Sequence, residues 1–333
     1  MIRLARLPAR MVYWNKPPTK GKCAMDIREL KYILTLAEYK NMTRAADALF
    51  ISQSALSHYV KSVETALGAP LFDRSTSPLS LTHAGRCYLE SAQRILLEEE
   101  KLQKEIRDIT QHMHGTLKIG LASDRLSYML PRLLPAFTQT YPGIEVRVLS
   151  GSGQSLIAAL RQGEADLIFL SDGMEFAQQG LESEVLYSEE MVLAVKRGTL
   201  PQGMLRPGGA HAIDPRGLAK MPLFMLPQGH GSRAFCDAFF RRLRIRPAIY
   251  MELPSNITCY RMAATGMGGA IIPYMTTHLT VPQDAADLFS LDDPPVTWNI
   301  RILYRKGAYI GQPERDLIQM SKRIFARESL LHG

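Results

Sequence analysis

The stretch Asn41–Gly68, NMTRAADALFISQSALSHYVKSVETALG, reads as a helix, a tight turn and a second helix. Thr43 is the expected N-cap of the first helix, and Ala45, Ala46, Ala48 and Leu49 give it side chains small enough for close helix packing. Phe50 and Ile51 make an apolar elbow. Ser52 is expected to cap the second helix, which sets Leu56, Tyr59, Val60, Val63 and Leu67 at helical spacing on one face before Gly68 ends it. The opposite face carries Gln53, Ser54, Ser57, His58 and Lys61. Short hydrogen-bonding groups followed by a lysine one turn on suit a helix lying in a DNA major groove. An ordinary surface helix is polar on its outer side as well, so this face alone leaves both readings open.

The flanking sequence extends the pattern. A helix is expected from Ile27 to about Tyr39, and the segment Pro70 to Gly85 follows the pair. Together, MDIRELKYILTLAEYKNMTRAADALFISQSALSHYVKSVETALGAPLFDRS from Met25 closely resembles the DNA-binding domain of LysR-type transcriptional regulators. In that family GAPLFDRSTSPLSLTHAG forms the wing of a winged helix-turn-helix, with Leu71, Phe72, Arg74, Leu81, Thr82 and Gly85 as characteristic residues. The resemblance implies a DNA-binding set of Thr43, Ser52, Gln53, Ser54, Ser57, His58, Lys61 and Arg74. Gln53, Ser54, Ser57 and His58 are assigned to base edges or nearby phosphates, and Lys61 and Arg74 to the backbone. Arg74 has an equal structural reading as a residue that holds the wing through carbonyl contacts.

The chain has 333 residues, enough for two or three compact units. Its net charge is +8, yet residues 1–24 hold Arg3, Arg6, Arg10, Lys16, Lys20 and Lys22 and no acid, leaving only +2 for the remainder. Overall basicity is therefore a weak argument for nucleic acid. Because the family pattern begins at Met25, residues 1–24 read either as an upstream extension from a misassigned start or as a basic arm. No apolar run reaches the roughly 18 to 20 residues of a membrane span, so a cytoplasmic protein with no membrane partner is expected. Cys23, Cys87, Cys236 and Cys259 show neither a CxxC pair nor zinc spacing and read as reduced thiols.

From Thr82 to about Thr110 the sequence has no proline and, after Gly85, no glycine. Tyr88, Ala92, Ile95, Glu99, Leu102, Ile106 and Ile109 step by four and three residues, and only Glu99 interrupts the apolar stripe. A second copy of the helix is the expected cover, which makes Tyr88, Ala92, Ile95, Leu102, Ile106 and Ile109 the dimerisation set. Packing of the stripe on its own neighbouring domains is the competing reading. The family uses such a linker helix to dimerise, and homodimers or homotetramers are implied.

Beyond His112 and His114, two histidines on an expected hinge with no metal role, apolar strands alternate with amphipathic helices. LKIGLA, IEVRVLS and ADLIFLS read as strands around helices Leu126–Thr140 and Ser155–Gln162. PLFML, AIYMEL, GGAIIP and WNIRILYRK continue the strands, with helices Ser232–Arg242 and Asn256–Ala264 between and a final helix from about Pro313 to Arg327. YPGIEVRV, GEADLIFL and AATGMGGAIIP resemble the effector-binding domain of LysR-type regulators, itself akin to periplasmic solute-binding proteins.

The expected organisation is α+β and multidomain. It has a winged helix-turn-helix at 25–86, a linker helix at 87–112 and a two-lobed α/β effector-binding domain at 115–330. Lobe I takes about 115–173 plus a C-terminal helix at about 312–328, and lobe II about 174–307. A ligand of such sheets sits beyond the carboxyl ends of the strands, at helix N-termini. The effector candidates are therefore Ser123, Asp124, Arg125, Ser152, Gln228, His230, Ser232, Arg233, Ser255, Asn256 and Thr258. Hydroxyls, amides and arginines suit a small anion, whereas Asp124 repels one unless Arg125 pairs with it, and suits an amine or hydroxyl instead. No nucleophile elbow, metal cluster or phosphate loop is present, so no catalytic residue, cofactor or metal is expected. Double-stranded DNA, a small-molecule effector and RNA polymerase are the expected partners of a ligand-responsive transcription regulator. An α/β enzyme, or a solute-binding protein with an appended head, is the alternative.

Overall fold

In the computed structural model residues 26–110, 114–172, 180–206, 211–280 and 286–325 are described. The segment 1–24, Cys23, His112 and the ends of the expected lobes at 173–179 and 326–330 lie outside them. The chain divides into two compact units, residues 1–99 and 100–333.

The first unit is built on three helices. Helix α1 (Ile27–Tyr39) starts at Asp26, whose carboxylate accepts from the Arg28 N–H, and buries Leu30, Ile33 and Leu36. Helix α2 (Met42–Ala48) is capped by Asn41, whose side chain accepts from the Arg44 N–H at 3.0 Å. The cap is therefore Asn41 and not Thr43, because it is Asn41 that adopts the extended backbone an N-cap requires. Helix α3 (Gln53–Leu67) opens on Ser52, which accepts from the Ala55 N–H, and closes on Gly68 at φ 68°. Of its expected apolar face Leu56, Val60 and Val63 are buried, whereas Tyr59 and Leu67 are exposed. At the apolar elbow Phe50 is exposed and Ile51 packs against the core.

A short antiparallel ribbon, β1 (Phe72–Asp73) with β2 (Ser80–Leu81), follows in the register Phe72↔Leu81 and Asp73↔Ser80. Its base is tightly specified. The Thr82 hydroxyl donates to the Pro70 carbonyl at 2.7 Å and accepts from the Gly85 N–H at 3.0 Å. A Cβ on Gly85 would stand 2.0 Å from the Leu71 carbonyl oxygen, so backbone approaches backbone here with no room for a side chain. Helix α4 (His83–Ile109) then runs for 27 residues.

The second unit holds a nine-stranded sheet system. Its strands are β3 (Gly115–Leu121), β4 (Ile144–Ser150), β5 (Leu167–Ser171), β6 (Leu181–Lys196), β7 (Pro222–Met225), β8 (Ala248–Glu252), β9 (Gly269–Pro273), β10 (Ala286–Ser290) and β11 (Thr297–Arg305). They lie in the order β4-β3-β5-β11-β6-β9-β7-β8, with β10 on β6. Strands β3, β4 and β5 are parallel, as are β7, β8 and β9, which is the alternation the sequence predicts. Helices α5 (Ser123–Thr140), α6 (Gly153–Gln162), α7 (Gly231–Leu243), α8 (Asn256–Thr265) and α9 (Gln312–Phe325) complete it.

The 16-residue β6 is absent from the sequence reading and joins the two halves. Its residues 181–190 pair with β11, and 191–196 with β9 and β10. Strand β11 also pairs with β5, so 297–305 belongs to the first lobe's sheet and not to the second, where the span 174–307 would put it.

Candidate functional site

The candidate residues gather in two places, and each is built by its own unit. In the first, α3 turns Gln53, Ser54, His58 and Lys61 outward, with Ser57 half-buried among them. The Ser52 hydroxyl is occupied by its cap bond and by Ser54 at 3.0 Å. Thr43 is exposed on α2. Arg74 in the wing donates to the Glu64 carboxylate at 2.9 Å, and the other Glu64 oxygen accepts from the Leu71 and Phe72 N–H groups. Glu64 thus ties α3 to the wing, a role that sequence reasoning missed because its partners follow seven to ten residues later.

The stripe along α4 divides. Tyr88 and Ala92 are buried in the core of the first unit and are not open to a partner, because α1 and the wing already cover them. Ile95, Leu102, Ile106 and Ile109 stay exposed, Leu102 at 56% and Ile109 at 80%. From residue 100 onward α4 belongs to the second unit, and charge holds it there. Lys104 Nζ lies 2.7 Å from Asp166 and 2.9 Å from Glu314, all three buried. Asp108 accepts from the Tyr309 hydroxyl and the Gln312 N–H.

In the second unit a cleft of about 160 Å³ opens between the two lobes. That exceeds by an order of magnitude the roughly 10–15 Å³ needed by one water. Four helix N-termini meet it, at Ser123, Gly153, Gly231 and Asn256. Of the eleven candidates the cleft gathers Ser123, Asp124, Arg125, Ser152, His230, Ser232, Ser255 and Asn256. Gln228, Arg233 and Thr258 fall outside the lining. Gln228 is exposed, the Arg233 guanidinium donates to Asp237, Glu252 and the Leu226 carbonyl, and Thr258 bonds its own cap Ser255.

The polar groups of the cleft differ in what they leave open. Arg125 lines it, but its guanidinium is turned into the protein, donating to the Tyr187 hydroxyl at 2.7 Å and to Glu189 at 2.9 Å. Burial opposes the Arg125 charge, yet Tyr187 and Glu189 outweigh it and hold the group above its ordinary value. Glu189 accepts in addition from the Trp298 indole and the Met275 N–H, so the pair is closed. Arg125 therefore does not neutralise Asp124. The Asp124 carboxylate crosses the cleft and accepts from the Asn256 N–H at 2.7 Å, taking the N-terminus of α8 that an anion would otherwise occupy.

Serines close two of the four helices: Ser152 caps α6 and Ser255 caps α8. The caps of α5 and α7 are Ala122 and His230, which make no side-chain bond, so Ser123 and Ser232 sit inside their helices rather than capping them. No side chain among the described residues caps the first-turn N–H groups of α5 and α7. Asn256, only 6% exposed, keeps a side-chain oxygen with no donor among the described residues. A buried orphan of this kind costs roughly 1–3 kcal/mol.

The lining that sequence reasoning missed is mostly apolar, including Phe169, Met275 and Trp298, together with Ser171 and Gly231. The signal for Gly231 is steric: a Cβ there would meet the Ser171 hydroxyl at 2.3 Å, so glycine lets α7 approach β5. Cys236 and Cys259 are buried; burial pushes the Cys236 thiol well up, and burial aided by the Asp124 charge pushes Cys259 up to about 12. Such thiols are poor nucleophiles.

The profile described as the LysR substrate binding domain matches residues 110–326, and that of the bacterial regulatory helix-turn-helix protein, lysR family, matches 27–86. The HTH-type transcriptional regulator YkuM of Bacillus subtilis is 32% identical over 92% of this chain and 99% of its own. The HTH-type transcriptional regulator CfxR of Cupriavidus necator is 28% identical over 83% of this chain and 85% of its own. A full-length OxyR variant from Pseudomonas aeruginosa shares the fold with a TM-score of 0.67 at 24% identity, covering 90% of this chain and 94% of that one. The chain belongs to the LysR family of transcriptional regulators, with that family's helix-turn-helix and substrate-binding domains.

Proposed function

We propose that α3 is the recognition helix of a homodimeric or tetrameric regulator that binds double-stranded DNA in the cytoplasm and acts on RNA polymerase by binding, not by catalysis. The observation that carries this reading is the outward face of α3, where Gln53, Ser54 and His58 are exposed between a satisfied cap and the phosphate-reaching Lys61. Gln53, Ser54, Ser57 and His58 read base edges; Thr43, Ser52, Lys61 and Arg74 stand against the backbone. The exposed Ile95, Leu102, Ile106 and Ile109 of α4 are covered by the same stripe of a second copy, which pairs two heads for two half-sites. A small effector in the cleft biases the regulator between two arrangements in proportion to its differential affinity for them.

Footprinting on the DNA upstream of the protein's own gene tests the reading, with protection expected at moderate salt. Replacing Ser57 and His58 together by Ala is expected to weaken specific binding roughly tenfold or more while leaving nonspecific binding nearly unchanged. Equal losses on both DNAs would remove these two residues from base readout.

A further inference from the structure

The cleft asks for two opposite chemistries at once. Asp124 places a carboxylate in it, and the one guanidinium in the lining, Arg125, is committed to Glu189 and Tyr187. Among the described residues no lysine lines the cleft to offset Asp124. Only one Asp124 oxygen is used, by the Asn256 N–H, and the other has no partner among the described residues. Beside it, the nine-tenths-buried Asn256 side chain holds an acceptor without a donor. Both groups call for N–H or O–H donors, and the Asp124 charge favours a cationic one.

The other helix ends ask for the reverse. The open first turns of α5 and α7 present backbone N–H groups and the positive end of each helix dipole, the ordinary setting for a carboxylate. Helices α6 and α8 are already closed by Ser152 and Ser255, and α5 carries Asp124 in its first turn, whereas α7 carries no acid there; the end that suits a carboxylate apart from Asp124 is therefore that of α7. The apolar wall of Phe169, Met275 and Trp298 is left for a carbon skeleton.

Building on the reading that this cleft takes the effector, we propose that the effector is a zwitterionic amino carboxylate. Its ammonium sits on Asp124 and the Asn256 side chain, and its carboxylate on the open end of α7. The terminal amide of Asn256 turns its oxygen to the incoming donor, a rotation with broad, soft minima. The ligand also takes up the Asp124 carboxylate that otherwise bridges the lobes to α8. A simple anion, by contrast, meets an uncompensated carboxylate.

The test measures thermal shift and calorimetric affinity on the full-length protein with the proteinogenic amino acids. Each is matched to its deaminated carboxylate and its decarboxylated amine. At least one zwitterion should stabilise the protein, and loss of either charged group should weaken its binding tenfold or more. Asp124→Asn keeps an oxygen for the Asn256 N–H while removing the charge. It should lower the zwitterion's affinity at least tenfold and abolish the preference over the deaminated partner. Equal binding of the deaminated carboxylate, an unchanged affinity in D124N, or no response to any zwitterion overturns the proposal. Ser123→Trp fills the cleft from an exposed position and separates the two levels. Zwitterion binding that survives it overturns the cleft as the effector site, whereas carboxylate binding that it abolishes keeps the cleft and overturns only the ammonium.

Discussion

Lys104→Met removes the cation that two buried carboxylates share. Lys104 Nζ is 2.7 Å from Asp166 and 2.9 Å from Glu314, with side-chain exposures of 10%, 2% and 7%. Methionine fills the volume but leaves two acids facing each other with little water. Breaking a buried ion pair from one side costs roughly 3–5 kcal/mol; here Glu314 loses its cation and Asp166 keeps only the Lys118 N–H at 2.8 Å. For a unit of this size the melting temperature should fall by about 10 °C. Burial opposes the Lys104 charge, but Asp166 and Glu314 outweigh it and raise its value above 10.5. Its contribution in the parent protein is thus complete at neutral pH and is lost only as pH climbs past that value. Urea and thermal unfolding of the full chain at neutral pH, followed by tryptophan fluorescence with Trp298 reporting on this unit, give the loss. A fall below about 2 °C would refute the reasoning.

Two further outcomes follow from geometry. Gly85→Ala sets a Cβ 2.0 Å from the Leu71 carbonyl, so the wing base must move; a loss of roughly 2–4 kcal/mol in the first unit and of operator binding is expected. Native stability in that variant, by denaturant titration, would show that the backbones are not so close. Leu102→Asp with Ile106→Asp puts charge on the exposed stripe of α4 and should shift sedimentation toward monomer without lowering the monomer's helix content; an unchanged oligomer would place the contact elsewhere.

The head of the chain was legible because its signals are local. Ser52 and Gly68 cap α3 from adjacent positions; Thr82 and Gly85, whose bond and close approach reach back to Pro70 and Leu71, were singled out by the family pattern instead. The cleft was half legible: helix N-termini can be counted along the chain, but which of them is already satisfied cannot. Arg125 looked like an anion ligand because its partners, Tyr187 and Glu189, lie more than sixty residues away. Strand β6 hid for the same reason. Glu189 and Glu190 interrupt its apolar run, and their partners are distant in sequence: Arg125, Met275 and Trp298 bond Glu189, and Ser290 bonds Glu190.

The course of β6 and β11 makes the second lobe a nested insertion. Everything from Met191 to Val296 leaves the first sheet on one strand and returns on the strand beside it, where Glu190 and Thr297 are direct partners. The gap between exit and re-entry is one strand spacing, about 4.8 Å, which a hairpin turn of a few residues spans. The first lobe is in that sense complete without the second. Yet β5 must wait for β11, more than a hundred residues later, before its outer edge is covered. During synthesis that edge of the first lobe stays bare until the whole insertion has emerged, and the ribosome's pace sets how long it is exposed to other chains.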